Sequence, residues 1–177
     1  MPRKRESQKQ APEIVQLAEH IAEELKGCPH PEYDLGEKLR WLIKQKGGEV
    51  SIAGEYGCSP DGGNSLFVYP DRTFVAYLAP YASFARDNCT LAHELGHYLL
   101  HSEFEAGPPN DDVLVFSRFS QSTLGPEADL FALNLLMPRE EFEASCNRYE
   151  GDVELIAAHF EVPEGAVIAR AESLHAR

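Results

Sequence analysis

The segment TLAHELGHYLLH, residues 90–101, is the part of this chain from which fold and function are best inferred. Its apolar residues recur at the three- and four-residue spacing of a largely buried helix. His93 and His97 lie four residues apart, so their imidazoles share one helical face, one turn above the other. Two imidazoles in this arrangement are typical ligands of a single zinc ion. We therefore predict that His93 and His97 bind metal.

Glu94 follows the first histidine directly, so it is rotated by about 100° around the helix axis. That rotation removes it from the row of ligands but leaves it within reach of a water bound to the same ion. Metal-assisted hydrolysis needs a metal to acidify the water and a carboxylate to accept its proton. The pattern therefore predicts Glu94 as the catalytic base.

The alternative is a helix that contains histidines by chance. Imidazoles in a buried helix need polar partners or a metal, which makes this alternative the weaker one. Gly96 makes the helix less stable than alanine would, by about 1 kcal/mol, and so indicates close packing at that position. His101 lies a further turn along, about 5.4 Å away, and is expected to support the site or lie at the surface.

The composition is that of a globular protein whose partners are not primarily nucleic acids. The 177 residues are 43% hydrophobic and carry a net charge of −13, which disfavours a surface built to neutralise phosphates. The basic N-terminus lacks the apolar core of a secretion signal, and no apolar run is long enough to span a bilayer. The four cysteines form no CxxC pair, as expected of free thiols in a reducing cytoplasm.

The predicted fold class is α+β, a small antiparallel sheet with helices packed around it. Turn-forming clusters separate three short strand-like runs, which indicates an antiparallel meander. The later run VLVFSRF is compatible with a strand or a short helix. The predicted helices are 12–26, 34–46, 87–101, 127–136, 139–147, 151–160 and 163–173, and the predicted strands are 49–55, 65–70 and 73–80.

Two motifs together resemble the ImmA/IrrE-type zinc metallopeptidases. They are TLAHELGHYLLH at 90–101 and EADLFALNLLMP at 127–138, and the ARDN lead-in at 85–88 fits as well. The resemblance covers about residues 34–170. We predict a zincin-like domain at 12–138 that includes the N-terminal helices and a helical segment at 139–177 packed on it. The basic composition of residues 1–11 indicates a disordered tail.

The resemblance also implies one zinc ion per chain, a cytoplasmic location and a protein substrate. In this family the substrate is typically a helix-turn-helix repressor, whose cleavage relieves repression. The competing hypothesis is a catalytically weakened scaffold that regulates its partner by binding alone. A third reading, direct DNA binding by residues 151–173, is disfavoured because acidic residues crowd that segment.

One position departs from the family pattern. The second motif usually begins with a glutamate that supplies the third metal ligand, and that position here is Gly125. Glu127 has the longer reach and is expected to begin its helix after Pro126, whereas Asp129 shares the helical edge of Gly125. We predict that one of these two carboxylates binds the metal, with a slight preference for Glu127, and that Asp129 then orients a ligating histidine. The remaining candidates lie in the 103–113 connection: Glu103, Glu105, Asp111 and Asp112.

Overall fold

The computed structural model describes residues 10–53, 64–102, 113–117 and 124–175. These residues form seven α-helices and one four-stranded mixed sheet, which confirms the α+β class. The tail predicted at 1–11 lies almost entirely outside the described residues. The elements are α1 (Ala11–Lys26), α2 (Leu35–Gln45), β1 (Gly48–Ile52), β2 (Asn64–Val68), β3 (Phe74–Leu78), α3 (Phe84–His97), β4 (Leu114–Ser117), α4 (Leu124–Leu136), α5 (Arg139–Arg148), α6 (Val153–Phe160) and α7 (Glu164–His175).

The sheet has the strand order β1-β3-β2-β4. β2 and β3 pair antiparallel, as predicted, because a tight turn joins them: Tyr69 donates its N–H to the carbonyl of Thr73 at 2.8 Å. β1 pairs with β3 in parallel, so the predicted all-antiparallel meander is wrong for this strand. The longer connection between β1 and β2 imposes no hairpin, which lets β1 occupy the edge beside β3.

The run VLVFSRF, for which strand and helix were both open, contributes strand β4. It pairs antiparallel with β2, and Phe116 lies opposite Leu66. Both side chains are buried, so this pair joins the sheet to the core. β4 therefore forms the other edge of the sheet and brings the ring of Phe116 toward α3, the helix that carries His93 and His97.

Helix α3 begins at Phe84, three residues before the predicted start. Ser83 accepts a hydrogen bond from the N–H of Arg86 at 3.3 Å and so caps the helix, although the apolar pattern begins only at Leu91. After His97 the chain continues as a π-helical turn, Tyr98–Ser102. Such turns change the direction in which the following side chains project, so His101 does not continue the straight α-helical stripe.

Helix α4 begins at Leu124, and the predicted start at residue 127 is therefore three residues late. Pro126 does not prevent this, because the first-turn N–H groups of a helix have no intrahelical partner. Gly125 consequently lies within the first turn of the helix, on the same element as Glu127 and Asp129.

The core joins the motif helix to its neighbours and to the C-terminal helices. α3 packs chiefly against α4, and one hydrophobic cluster connects these helices, the sheet, α1, α2 and the inner faces of α5, α6 and α7.

Among the described helices, none has the length and apolarity that a membrane span requires. Cys28, Cys89 and Cys146 are free thiols, as predicted, and Cys58 lies outside the described residues.

Gly96 is the point of closest approach between α3 and α4. A Cβ atom at this position would lie 3.0 Å from Cδ1 of Phe131 and 3.2 Å from the carbonyl oxygen of Ala128. The predicted close packing is therefore confirmed. The glycine lets the motif helix lie directly on the backbone of α4, the helix that carries the two candidate carboxylates.

We expect Gly96→Val to lower the free energy of unfolding by about 1–3 kcal/mol, because the added side chain overpacks this contact. The measurement is urea denaturation followed by circular dichroism. Gly165→Val is the matched control, since no described atom lies within 4 Å of a Cβ placed there. A Gly96→Val variant as stable as the control would show that α4 yields at this contact.

Candidate metal centre

The two histidines of the motif share one face of α3, as predicted. The ring centroids of His93 and His97 are 4.7 Å apart and their planes are nearly perpendicular, at 80°. Glu94 lies between them in sequence and is only 1% exposed. The helix thus brings two imidazoles and a buried carboxylate into one small volume.

His93 is held by a carboxylate from the neighbouring helix. Its Nδ1 lies 2.8 Å from Oδ1 of Asp129 on α4. Metal-ligating histidines commonly hold a carboxylate through one ring nitrogen and bind the ion through the other. The contact is compatible with the orienting role predicted for Asp129, which stays a prediction, and it favours Nε2 of His93 as a ligand atom.

His97 is buried against β4 and against the π-helical turn. Its ring stacks on Phe116 with centroids 4.7 Å apart, and its Nδ1 lies 3.1 Å from Nδ1 of His101. Burial, reinforced by the neighbouring His93 and His101, lowers the pKa of His97 to about 3. The ring is therefore neutral at physiological pH, which is the form that binds metal.

Glu127 contacts a different histidine from Asp129. Its Oε2 lies 3.1 Å from Nε2 of His101; the His101 side chain is buried, and the Glu127 side chain is 12% exposed. His93, His97 and His101 follow one another along α3 and its π-helical turn. The two carboxylates proposed as the third ligand contact the outer two of these histidines, Asp129 at His93 and Glu127 at His101. Which of them binds a metal stays a prediction.

The described side chains fit a metal ion in part. Both motif histidines hold a partner through Nδ1, which suits coordination through Nε2, and the ligand type suits zinc. Among the residues that the structure describes, however, no group of three His, Cys, Asp or Glu side chains is arranged to hold an ion. The alternative ligands Glu103, Glu105, Asp111 and Asp112 lie outside the described residues.

An open cleft of about 500 Å³ leads to the motif from the start of α3. His93, Glu94 and Asp129 are among the residues that line it, and Pro163 and Ala166 border it near the start of α7. A cleft of this size can admit part of an extended peptide chain. The cleft gives a substrate access to the carboxylate that the motif predicts as the base.

Cys89 also lines this cleft, and the sequence offered no case for it as a nucleophile. Burial, with a smaller contribution from Asp129, raises the pKa of its thiol to about 11. The thiolate, which is the reactive form, is therefore scarce at neutral pH. The chemistry of the cleft depends on the histidines and carboxylates.

Two contacts of the site were not predicted from the sequence: the pair formed by His101 and Glu127, and the ring of Phe116 against His97. His101 lies in the π-helical turn after α3, and its Nδ1 contacts Nδ1 of His97. The sequence feature that could have indicated the contact between His101 and Glu127 was the position of Glu127 at the start of a helix that packs on α3. Sequence spacing alone does not show which histidine it meets.

A search of curated proteins finds no match to this chain. A family model does match: Peptidase_M78, described as the IrrE N-terminal-like domain, aligns with residues 59–172. The matched range contains both motifs, three strands of the sheet and the helices that line the cleft. The chain therefore belongs to the Peptidase_M78 metallopeptidase family, with an IrrE N-terminal-like domain.

Proposed function

We propose that this protein is a zinc-dependent endopeptidase of the ImmA/IrrE type that cleaves a helix-turn-helix transcriptional repressor. The observation that carries the proposal is the pair of motif histidines, each held through Nδ1, beside the buried carboxylate of Glu94 at the end of an open cleft. This is an arrangement suited to hydrolysis, within a chain that belongs to a peptidase family.

In this proposal His93 and His97 hold the zinc ion. The ion would lower the pKa of a bound water and polarise the carbonyl of the scissile peptide bond. Glu94 accepts the proton of the attacking water and passes it to the leaving amine. Glu94 is only 1% exposed, and Asp129 contacts Nδ1 of His93.

The substrate class follows from the resemblance to ImmA/IrrE-type peptidases and from charge. A net charge of −13 favours a protein partner over direct contact with nucleic acid. A repressor that binds DNA carries basic surface, which an acidic peptidase would attract. The location proposed for this encounter is the cytoplasm.

The test is incubation of the purified protein with the helix-turn-helix repressor encoded beside it, with and without zinc, followed on a denaturing gel. Cleavage that requires zinc supports the proposal. An intact repressor after prolonged incubation with the zinc-loaded protein, in conditions where the two proteins bind, contradicts it.

That second outcome would support a non-proteolytic regulator, which one feature favours. Gly125 occupies the position of the usual third ligand, and glycine has no side chain with which to bind metal. A site with two protein ligands holds zinc more weakly than one with three. The protein would then act by binding its partner.

Gly125→Glu provides a direct measure of this weakness. Outside the backbone of its own helix, no described atom lies within 4 Å of a Cβ placed at residue 125, so the first atom of a side chain can be added there without a clash. If the natural site lacks a third protein ligand, we expect the variant to bind zinc at least about tenfold more tightly in competition with a chelator. Gly165→Glu is the control; equal affinity of the variant and the natural protein would show that a third ligand is already present.

A further inference from the structure

We propose that Glu127 and His101 set the tautomer of His97, so that they act as positioning residues for the metal centre. This inference rests on the proposed function, in which His97 binds zinc. It assigns a role to a buried His–Glu pair that the HExxH motif does not include, and it assigns Glu127 a place beside the metal ligands.

The structure shows a continuous chain of hydrogen-bonding atoms. Oε2 of Glu127 lies 3.1 Å from Nε2 of His101, and Nδ1 of His101 lies 3.1 Å from Nδ1 of His97. Three side chains from α3, its π-helical turn and the first turn of α4 are thus linked end to end. The chain ends at one of the two motif histidines.

The order of donors along this chain follows from the chemistry of its first member. An ionised carboxylate only accepts, so Nε2 of His101 must carry the hydrogen that it donates to Glu127. In the arrangement that we propose His101 is a neutral imidazole, so its other nitrogen is an acceptor. Nδ1 of His101 therefore accepts from His97, whose Nδ1 must carry its hydrogen. This leaves Nε2 of His97 as the nitrogen with a lone pair, the form in which it binds metal.

Asp129 contacts the other motif histidine directly. Its Oδ1 lies 2.8 Å from Nδ1 of His93, and its side chain is 68% exposed. The two carboxylates of α4 thus reach both motif histidines, Asp129 directly and Glu127 through His101.

Burial distinguishes this pair from an ordinary surface contact. The side chains of His101 and Glu127 are 4% and 12% exposed, whereas those of the surface pair His30 and Glu32 are 44% and 66% exposed. Water competes for hydrogen bonds at an exposed pair and allows both tautomers. At the buried pair, the wrong tautomer would place two donors or two acceptors face to face, and it is disfavoured for that reason.

The first test uses nitrogen-15 labelling of the histidines in the metal-free, full-length protein at neutral pH. Long-range proton–nitrogen NMR distinguishes protonated from unprotonated ring nitrogens. We expect the hydrogen on Nδ1 of His97 and on Nε2 of His101, and we expect Glu127→Ala to convert both rings to mixtures of tautomers. A hydrogen on Nε2 of His97 in the natural protein, or unchanged tautomers in Glu127→Ala, would overturn the proposal.

The second test separates a positioning residue from a direct ligand. Zinc affinity, measured by chelator competition, should fall about 10- to 100-fold in Glu127→Ala, as is typical when the partner of a ligating histidine is removed. Glu127→Gln should restore most of it, because the amide oxygen still accepts from His101. If Gln is as damaging as Ala, Glu127 binds zinc itself and the proposal is wrong.

Glu32→Ala, at the exposed pair, is the control and should change neither zinc affinity nor the tautomer of His97. The two readouts also separate this inference from the proposed function. A natural protein that binds no zinc would contradict the proposed function, whereas the tautomers in the metal-free protein test the role of Glu127 independently.

Discussion

Glu94→Gln is expected to abolish cleavage of the repressor while leaving zinc binding unchanged. Glutamine has nearly the same shape and size as glutamate, so the buried position can accept it, but its amide cannot take a proton from water. Removing a general base typically lowers a rate about 10²- to 10⁴-fold. The measurement is the rate of repressor cleavage, together with the zinc content of the purified protein by mass spectrometry.

The matched control is Glu154→Gln, the same change at an exposed position on α6, which should cleave at the natural rate. A Glu94→Gln variant that lost zinc as well as activity would mean that Glu94 is a ligand. Full activity in this variant would require a different base and would remove the main support for the proposed mechanism.

His97→Ala is expected to eliminate stoichiometric zinc binding, the second large effect. Only two motif histidines are available as nitrogen ligands in this proposal, so losing one leaves a single imidazole. The same variant also removes the ring between Phe116 and His101, so its fold must be checked by circular dichroism. Zinc content after dialysis and affinity by chelator competition are the measurements.

His159→Ala is the control for this experiment, since His159 is an exposed histidine on α6, outside the motif. It should retain one zinc ion per chain. If a folded His97→Ala protein also retained the ion, the metal would have to be held by other residues, and the assignment of the motif would be wrong.

The helices were largely predictable because their signals are local. The apolar spacing of α1 and α2 and the capping box at Asp34 and Glu37 lie within a few residues of the elements they define. The start of α4 was predicted less well. Proline usually precedes a helix or stands in its first turn, and local sequence did not distinguish the two for Pro126.

The pairing of β1 shows the limit of local inference in the sheet. Its apolar pattern identified a strand, but partner choice depends on which edge remains open after β2 and β3 have formed their hairpin. That outcome is a property of the assembled sheet, and neither the composition nor the length of the connection specifies it.

The candidate chemistry could be read from the sequence: two histidines on one helical face, a carboxylate beside the first, and a glycine where the family pattern that the chain resembles has a ligand. Helical periodicity is enough to place the two histidines and the carboxylate relative to one another. Which carboxylate contacts which histidine depends on the tertiary structure. Glu127 and Asp129 are two residues apart and so project from different sides of α4. The close contact at Gly96 fixes how α3 lies on α4, and the π-helical turn carries His101, so these two features determine which histidine each carboxylate reaches. Asp129 therefore meets His93 and Glu127 meets His101, because long-range packing determines contacts between helices.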